Sequence, residues 1–226
     1  MILEKRTKQD RLCEDSDIWN SEDETSFLIA SFVKFKQAKK FLEIGTYKGN
    51  TTIEVVRHNK NVAVVTLDIK DFFSSILKKL PGGEKKRISY VLGTSSDIKL
   101  RSPEHFDFAY IDAEHHFLTC LLDLIHTIEV IEPNGTIVMH DTLNTHLPGV
   151  GRTLLLFQLI NVLCLGKIAS FWTMKTKQPP GLPNNGITFI FFHYLTQKKK
   201  YFVVSSLRTV HTIVSKAHKL LSALRK

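Results

Sequence analysis

Hydrophobic positions along this chain repeat with two periods, and the order in which those periods alternate outlines a layered α/β fold. Short apolar runs occur at 40–45, 62–68, 87–92, 106–112 and 136–141, and the segments between them carry helical spacing. A first helix is expected over residues 22–39. Ser21 and Glu24 stand at capping-box spacing, Phe27, Leu28, Phe32 and Phe35 follow near the helical period, and Lys34 to Lys40 place cations at its end. Helical patterns also run from Thr51 to His58, from Phe72 to Leu80 until Pro81-Gly82-Gly83 stops it, and from Phe117 to Glu129. Strands alternating with helices in this way build a doubly wound, mostly parallel sheet with helices on both faces. A greasy helix at 152–165 and two further apolar runs, Ile168–Thr173 and Ile187–His193, complete the domain, with a loop over 177–186 between the two runs. The chain thus divides into an N-terminal extension at 1–20, a domain at 21–196 and a basic amphipathic helix at 197–226.

The first strand ends in Phe41-Leu42-Glu43-Ile44-Gly45-Thr46-Tyr47-Lys48-Gly49, a tight glycine turn that leads into a helix N-terminus. Glycine there tolerates positive φ and lets a ligand approach bare backbone. The N–H groups opening the helix are free donors. Asp68 closes the second run 23 residues past Gly45, where a doubly wound fold grips a ribose hydroxyl pair. The pattern predicts a nucleoside site. It disfavours a dinucleotide, because Tyr47 stands where a middle glycine would let the backbone close on pyrophosphate. Glu43 beside the loop repels phosphate and welcomes a cationic amine.

Residues 41–56 together with Asp68 resemble the first two motifs of the class I S-adenosylmethionine-dependent methyltransferases. The cofactor this implies, S-adenosylmethionine, has an adenosine, a sulfonium and an ammonium and no phosphate. The resemblance implies cofactor contacts from Glu43, Gly45, Thr46, Gly49, Asp68, Ser95 and Asp112. It also implies a Rossmann-like sheet of seven strands, the last two forming a hairpin at one edge. Thr94 stands after the third strand where the family commonly has an acid.

Ligands of open parallel sheets sit beyond the C-terminal strand ends. The sequence puts Asp112-Ala113-Glu114-His115-His116 after the fourth run and His140-Asp141-Thr142 after the fifth, and these two tips are expected to lie close together. Both stretches resemble small-molecule O-methyltransferases of the same class, including antibiotic- and sugar-modifying ones, over residues 25–193. The likeness implies methyl transfer to a hydroxyl of a small acceptor. That reaction needs an in-line approach to the sulfonium methyl and removal of the hydroxyl proton. His115 is the candidate base, because histidine titrates near neutral pH, with Asp112 and Asp141 beside it as catalytic candidates. A divalent cation such as Mg²⁺, held by Asp112, His140 and Asp141, is the alternative means of lowering the hydroxyl pKa. Metal-dependent members often have a second carboxylate where His140 stands.

Composition narrows the classes further. A chain of 226 residues suffices for one such domain with a sizeable core. Cys13, Cys120 and Cys164 are unclustered and lack metal-ligand spacing, which suits a reducing, cytoplasmic setting. No apolar stretch reaches the ~20 residues of a membrane span, and the opening residues lack a signal-peptide core. The net charge of +9 is unevenly placed. Asp141 is the last acid, so residues 142–226 hold 12 of the 31 Lys and Arg and none of the 22 Asp and Glu. Such asymmetry suggests an acidic partner surface: nucleic acid, lipid head groups or an anionic substrate. Val203, Leu207, Val210, Val214, Ala217, Leu221 and Leu224 form one seam of the terminal helix, opposite Arg208, Lys216, Lys219 and Arg225. Residues 203–224 are expected to pack on their own domain or on a second copy in a homo-oligomer, with a peripheral membrane-surface contact as the sharper alternative. Two other functions stay open. One is nucleic-acid methylation using the basic C-terminal part, although no Asn/Asp-Pro-Pro-aromatic or Pro-Cys motif is present; the other is a non-catalytic binding module anchored by its tail.

Overall fold

Each apolar run becomes a strand of one sheet. A computed structural model describes residues 23–98, 105–163, 168–176, 185–193 and 195–224. The strands are β1 (Lys40–Ile44), β2 (Ala63–Asp68), β3 (Ile88–Leu92), β4 (Phe106–Ile111), β5 (Ile131–Met139), β6 (Ala169–Lys175) and β7 (Gly186–Phe192), in spatial order β3-β2-β1-β4-β5-β7-β6. The first five run parallel, whereas β7 is antiparallel to both β5 and β6. This is the expected seven-stranded, mostly parallel sheet with its edge hairpin.

Helices α1 (Asp23–Phe35), α2 (Asn50–His58), α3 (Ser74–Lys79), α4 (Gly82–Lys85), α5 (Phe117–Val130), α6 (Pro148–Leu163) and α7 (Gln197–Leu224) surround it. Alternation along the strands divides the core in two. Phe41, Val64, Phe108 and Tyr110 point to the face covered by α1 and α2, while Leu42, Ala109, Ile111 and Ile137 point to the face covered by α5, α6 and the start of α7. Both faces are buried, so the central strands read as continuous apolar runs rather than as alternating ones.

Several boundaries depart from the expected ones for local reasons. α1 stops at Phe35 because Gln37 turns to φ 53°, with Gln37 N–H on the Lys34 carbonyl and Ala38 N–H on that of Val33. The Pro81-Gly82-Gly83 stop opens the single turn of α4. Pro133, Asn134 and Gly135 lie inside β5, where the register against β4 shifts between Phe106 and Phe108. α6 begins four residues early at Pro148, since proline at the first helical position forfeits no hydrogen bond. The extension at 1–20, Cys13, Cys164, Arg225 and most of the 177–186 loop lie outside the described residues. Cys120 is a buried free thiol, as expected.

The terminal helix does not begin a separate unit. Val203, Val204 and Leu207 are buried in the main core, and Lys200 is buried with its Nζ donating to the Ile131 carbonyl at 2.7 Å. Arg208 pairs with Glu129 of α5 at 2.7 Å. Past this point the helix leaves the domain, and Ile213, Leu220 and Leu221 are exposed. Cutting after Thr196 should therefore destabilise the fold by about 5 kcal/mol, the burial worth of three aliphatic side chains. Cutting after Thr212 should leave the denaturation midpoint near that of the full chain. Equal midpoints for the two truncations would refute this division of the helix.

Candidate active site

Strand register assembles the site. Ile44 pairs with both Leu67 and Ile111, and Ile111 pairs with Met139. The next residue on each strand, namely Gly45, Asp68, Asp112 and His140, therefore falls on one line along the carboxyl edge of the sheet. Over this edge lies a cleft of about 750 Å³ whose lining includes Glu43, Gly45, Thr46, Asp68, Ser95, Asp112 and His115, a volume suited to a nucleoside-sized ligand.

The turn after β1 is locked from two sides. Gly45 has φ +93°, and a Cβ there would lie 2.0 Å from the Asp112 carbonyl oxygen. The turn and the β4 tip thus touch backbone to backbone. Asp68 then ties the loop down: its Oδ2 accepts the N–H of Thr46 at 3.2 Å and of Tyr47 at 2.8 Å, and its Oδ1 accepts Lys70 N–H at 3.0 Å. The acid expected to grip ribose hydroxyls also shapes the glycine turn. Gly49 lies outside the cleft lining, and the Phe73 ring fills the space its side chain would take.

Glu43 faces the same side of the sheet as Phe41, beneath α2. Its Oε2 accepts hydroxyls from Thr52 and Thr66, each at 2.5 Å. Burial pushes its pKa up to about 8; the two threonine hydroxyls pull it down and the nearby Asp112 and Asp68 charges add to the rise. Near neutral pH, then, Glu43 is mostly protonated rather than the standing carboxylate its sequence position suggests.

The β4 and β5 tips meet as expected. His115 Nε2 lies 2.9 Å from Asp141 Oδ2. That hydrogen bond raises the His115 pKa above 6.5, outweighing its partial burial, and the charges of Asp112 and Glu114 act in the same direction. Burial opposes the charge on Asp141, yet His115 and His140 hold its carboxyl well below the usual range. Asp141 sits behind His115, with φ 54°, and Asn144 Nδ2 donates to its Oδ1 at 3.3 Å. Asp112 Oδ2 accepts the Tyr110 hydroxyl at 3.0 Å.

His140 departs from its expected place among metal ligands. The ligand-capable atoms that cluster, all within 4.8 Å of one another, come from Asp112, His115 and Asp141. His140 is buried instead beneath the two acids, its Nδ1 at 3.4 Å from Asp112 and 3.1 Å from Asp141. Burial works against its protonation, but those two acids keep its pKa well above 6.5, so it acts as their countercharge.

One cleft residue escaped sequence reasoning. Asp123 on α5 lines the cleft beside Thr94 and Ser95 and is almost fully buried. Burial lifts its pKa to about 6, the Ser95 hydroxyl draws it down, and Glu114 adds to the rise. Ser95 Oγ in turn lies 2.9 Å from His126 Nδ1. The available signal was a single acid on the apolar arc of a helix. The β3 turn does hold an acid, Asp97, but its carboxylate is turned inward to accept Thr94 N–H at 2.8 Å.

A parallel sheet with a reversed final strand, a glycine turn at the end of β1 and an acid at the end of β2 are the features of the class I methyltransferase fold. Residues 42–142 match the family described as a methyltransferase domain. The chain resembles an O-methyltransferase from Bacillus cereus in complex with SAH, at 18% identity and TM-score 0.65, covering 78% of this chain and 84% of that one. It also resembles the O-methyltransferase TomG from Streptomyces achromogenes, involved in tomaymycin synthesis and in complex with SAM, at 16% identity and TM-score 0.63, covering 77% and 82%. The N-methyltransferase NodS from Bradyrhizobium japonicum WM9 shares the fold as well, at 14% identity and TM-score 0.56, covering 79% and 98%. The fold is thus common to transfer onto oxygen and onto nitrogen. No curated protein matches the sequence.

Proposed function

We propose that this chain transfers the methyl group of S-adenosylmethionine to a hydroxyl of a small acceptor, a sugar or natural product, with His115 as general base. The observation that carries the reading is a histidine on the cleft wall whose Nε2 is held 2.9 Å from a buried, ionised Asp141. With Nε2–H donating to Asp141, Nδ1 is left as acceptor for the hydroxyl proton. S-adenosylmethionine, when bound, would supply the methyl group to the deprotonated oxygen and leave as S-adenosylhomocysteine.

The cofactor contacts follow from the same wall. Asp68 would hold the ribose hydroxyls, Gly45 and Thr46 would border the ligand closely, and Glu43 and Asp112 would face the cationic methionine portion. Ser95 and Asp123, on the β3 side of Asp68, would border the base, with Asp123 as an acceptor for its amino group. As the alternative to a histidine base, a divalent cation would be held by Asp112, His115 and Asp141, two hard oxygens and an imidazole close enough to share one ion. Bound there, it would lower the pKa of the acceptor hydroxyl.

Calorimetric titration with S-adenosylmethionine, with and without Mg²⁺, tests the reading. Binding should release a proton from Glu43, because a cation beside it lowers a pKa that starts near 8. The measured heat will then vary with the ionisation enthalpy of the buffer at pH 7. Asp68→Ala should weaken binding by about 1–3 kcal/mol. Preference for NAD would overturn the cofactor, and turnover indifferent to chelator would remove the metal.

A further inference from the structure

Methyl transfer uses the carboxyl edge of the sheet and leaves one broad surface without a task. On α6, Leu155, Leu159 and Val162 form a stripe at helical spacing, each more than half exposed. On the free half of α7, Ile213, Leu220 and Leu221 are also more than half exposed. Lys216, three residues past Ile213 and four before Leu220, stands at one edge of that apolar arc, and Lys219 lies further round the same side. α6 and the start of α7 cover the same face of the sheet. Neither carries an acid, since none follows Asp141 in the chain.

Exposed apolar stripes of this kind mark interaction sites. The charge around them selects the partner. A second copy of the chain would bring lysine against lysine, with no acid on either side to offset it. Nucleic acid would satisfy the lysines but offer little to the leucines. An anionic bilayer satisfies both, taking the apolar arc into the acyl boundary and the cations into the head groups. No helix among the described residues is long and apolar enough to cross a membrane, so the contact lies in the interface plane.

We infer that the free half of α7 is a docking surface for anionic lipid membranes. The surface is independent of the methyl-transfer reading, because none of its residues touches the cleft.

The test is co-sedimentation of the full chain with phosphatidylcholine vesicles, with and without phosphatidylserine. The expected result is retention on the phosphatidylserine vesicles, little on phosphatidylcholine alone, and release as salt rises. The double variant Ile213→Asp with Leu220→Asp should lower retention by about tenfold or more. Both side chains are more than half exposed, so the melting curve should match that of the unaltered chain. Vesicle binding that ignores phosphatidylserine, or that survives both aspartates, would overturn the inference. So would a concentration-dependent dimer in light scattering that the same aspartates abolish, because the apolar face would then belong to a second copy.

Discussion

Gly45→Ala should destabilise the protein by ~3–5 kcal/mol, read as a lower denaturant midpoint with unchanged slope. Two separate costs combine there. Alanine dislikes φ +93°, and its methyl group would sit 2.0 Å from a backbone carbonyl that cannot swing away as a side chain could. Relief requires the β1 turn and the β4 tip to separate, which moves Asp112 off the line it shares with Asp68. Cofactor affinity should therefore fall even in the fraction that stays folded. A midpoint within about 1 kcal/mol of the parent would mean the turn is looser than its contacts imply.

Asp141→Asn should lower kcat by roughly 10²–10³-fold while leaving cofactor affinity nearly unchanged. Asparagine tolerates the positive φ at this position, so the variant isolates the charge. His115 must be neutral to accept a proton, so activity rises with pH through its raised pKa. Without the Asp141 charge the imidazolium loses its main support, and the rising limb should move to lower pH with a lower plateau. Stability follows the same pair with opposite signs. Asp141, whose pKa is lowered on folding, contributes stability above its ordinary value of 3.8 and loses it on acidification. His115, whose pKa is raised, contributes below its ordinary 6.5 and loses that as pH climbs through its folded value. The variant's deficit in stability should thus be greatest between those limits. A flat difference across pH, or an unchanged kcat, would sink the base assignment.

The sheet was legible in the sequence because strands buried on both faces have little choice but to be apolar end to end. The residues closing those runs, Asp68, Asp112 and Asp141, were legible because charge at the end of such a run has few structural uses. Three features were not. Glu43 looks like an open carboxylate until Thr52 and Thr66, 9 and 23 residues away, are seen to enclose it. His115 and His140 have equal claims from spacing alone, and only the packing puts one on the cleft wall and the other beneath the acids. The seam of α7 is continuous from Val203 to Leu221, so periodicity gave no sign of where the domain ends along it. That boundary depends on how far α5 extends, which no local pattern records.

α7 is one unbroken rod of 28 residues, about 42 Å long at 1.5 Å per residue. Lys200 and Leu207 fix one end in the core, and the helix holds no proline or glycine at which to kink. Whatever seizes the far end therefore grips a rigid lever and not a slack leash. The mouth of the catalytic cleft would be presented at a set angle and standoff, so that acceptors arriving from one direction are favoured over those free in bulk water.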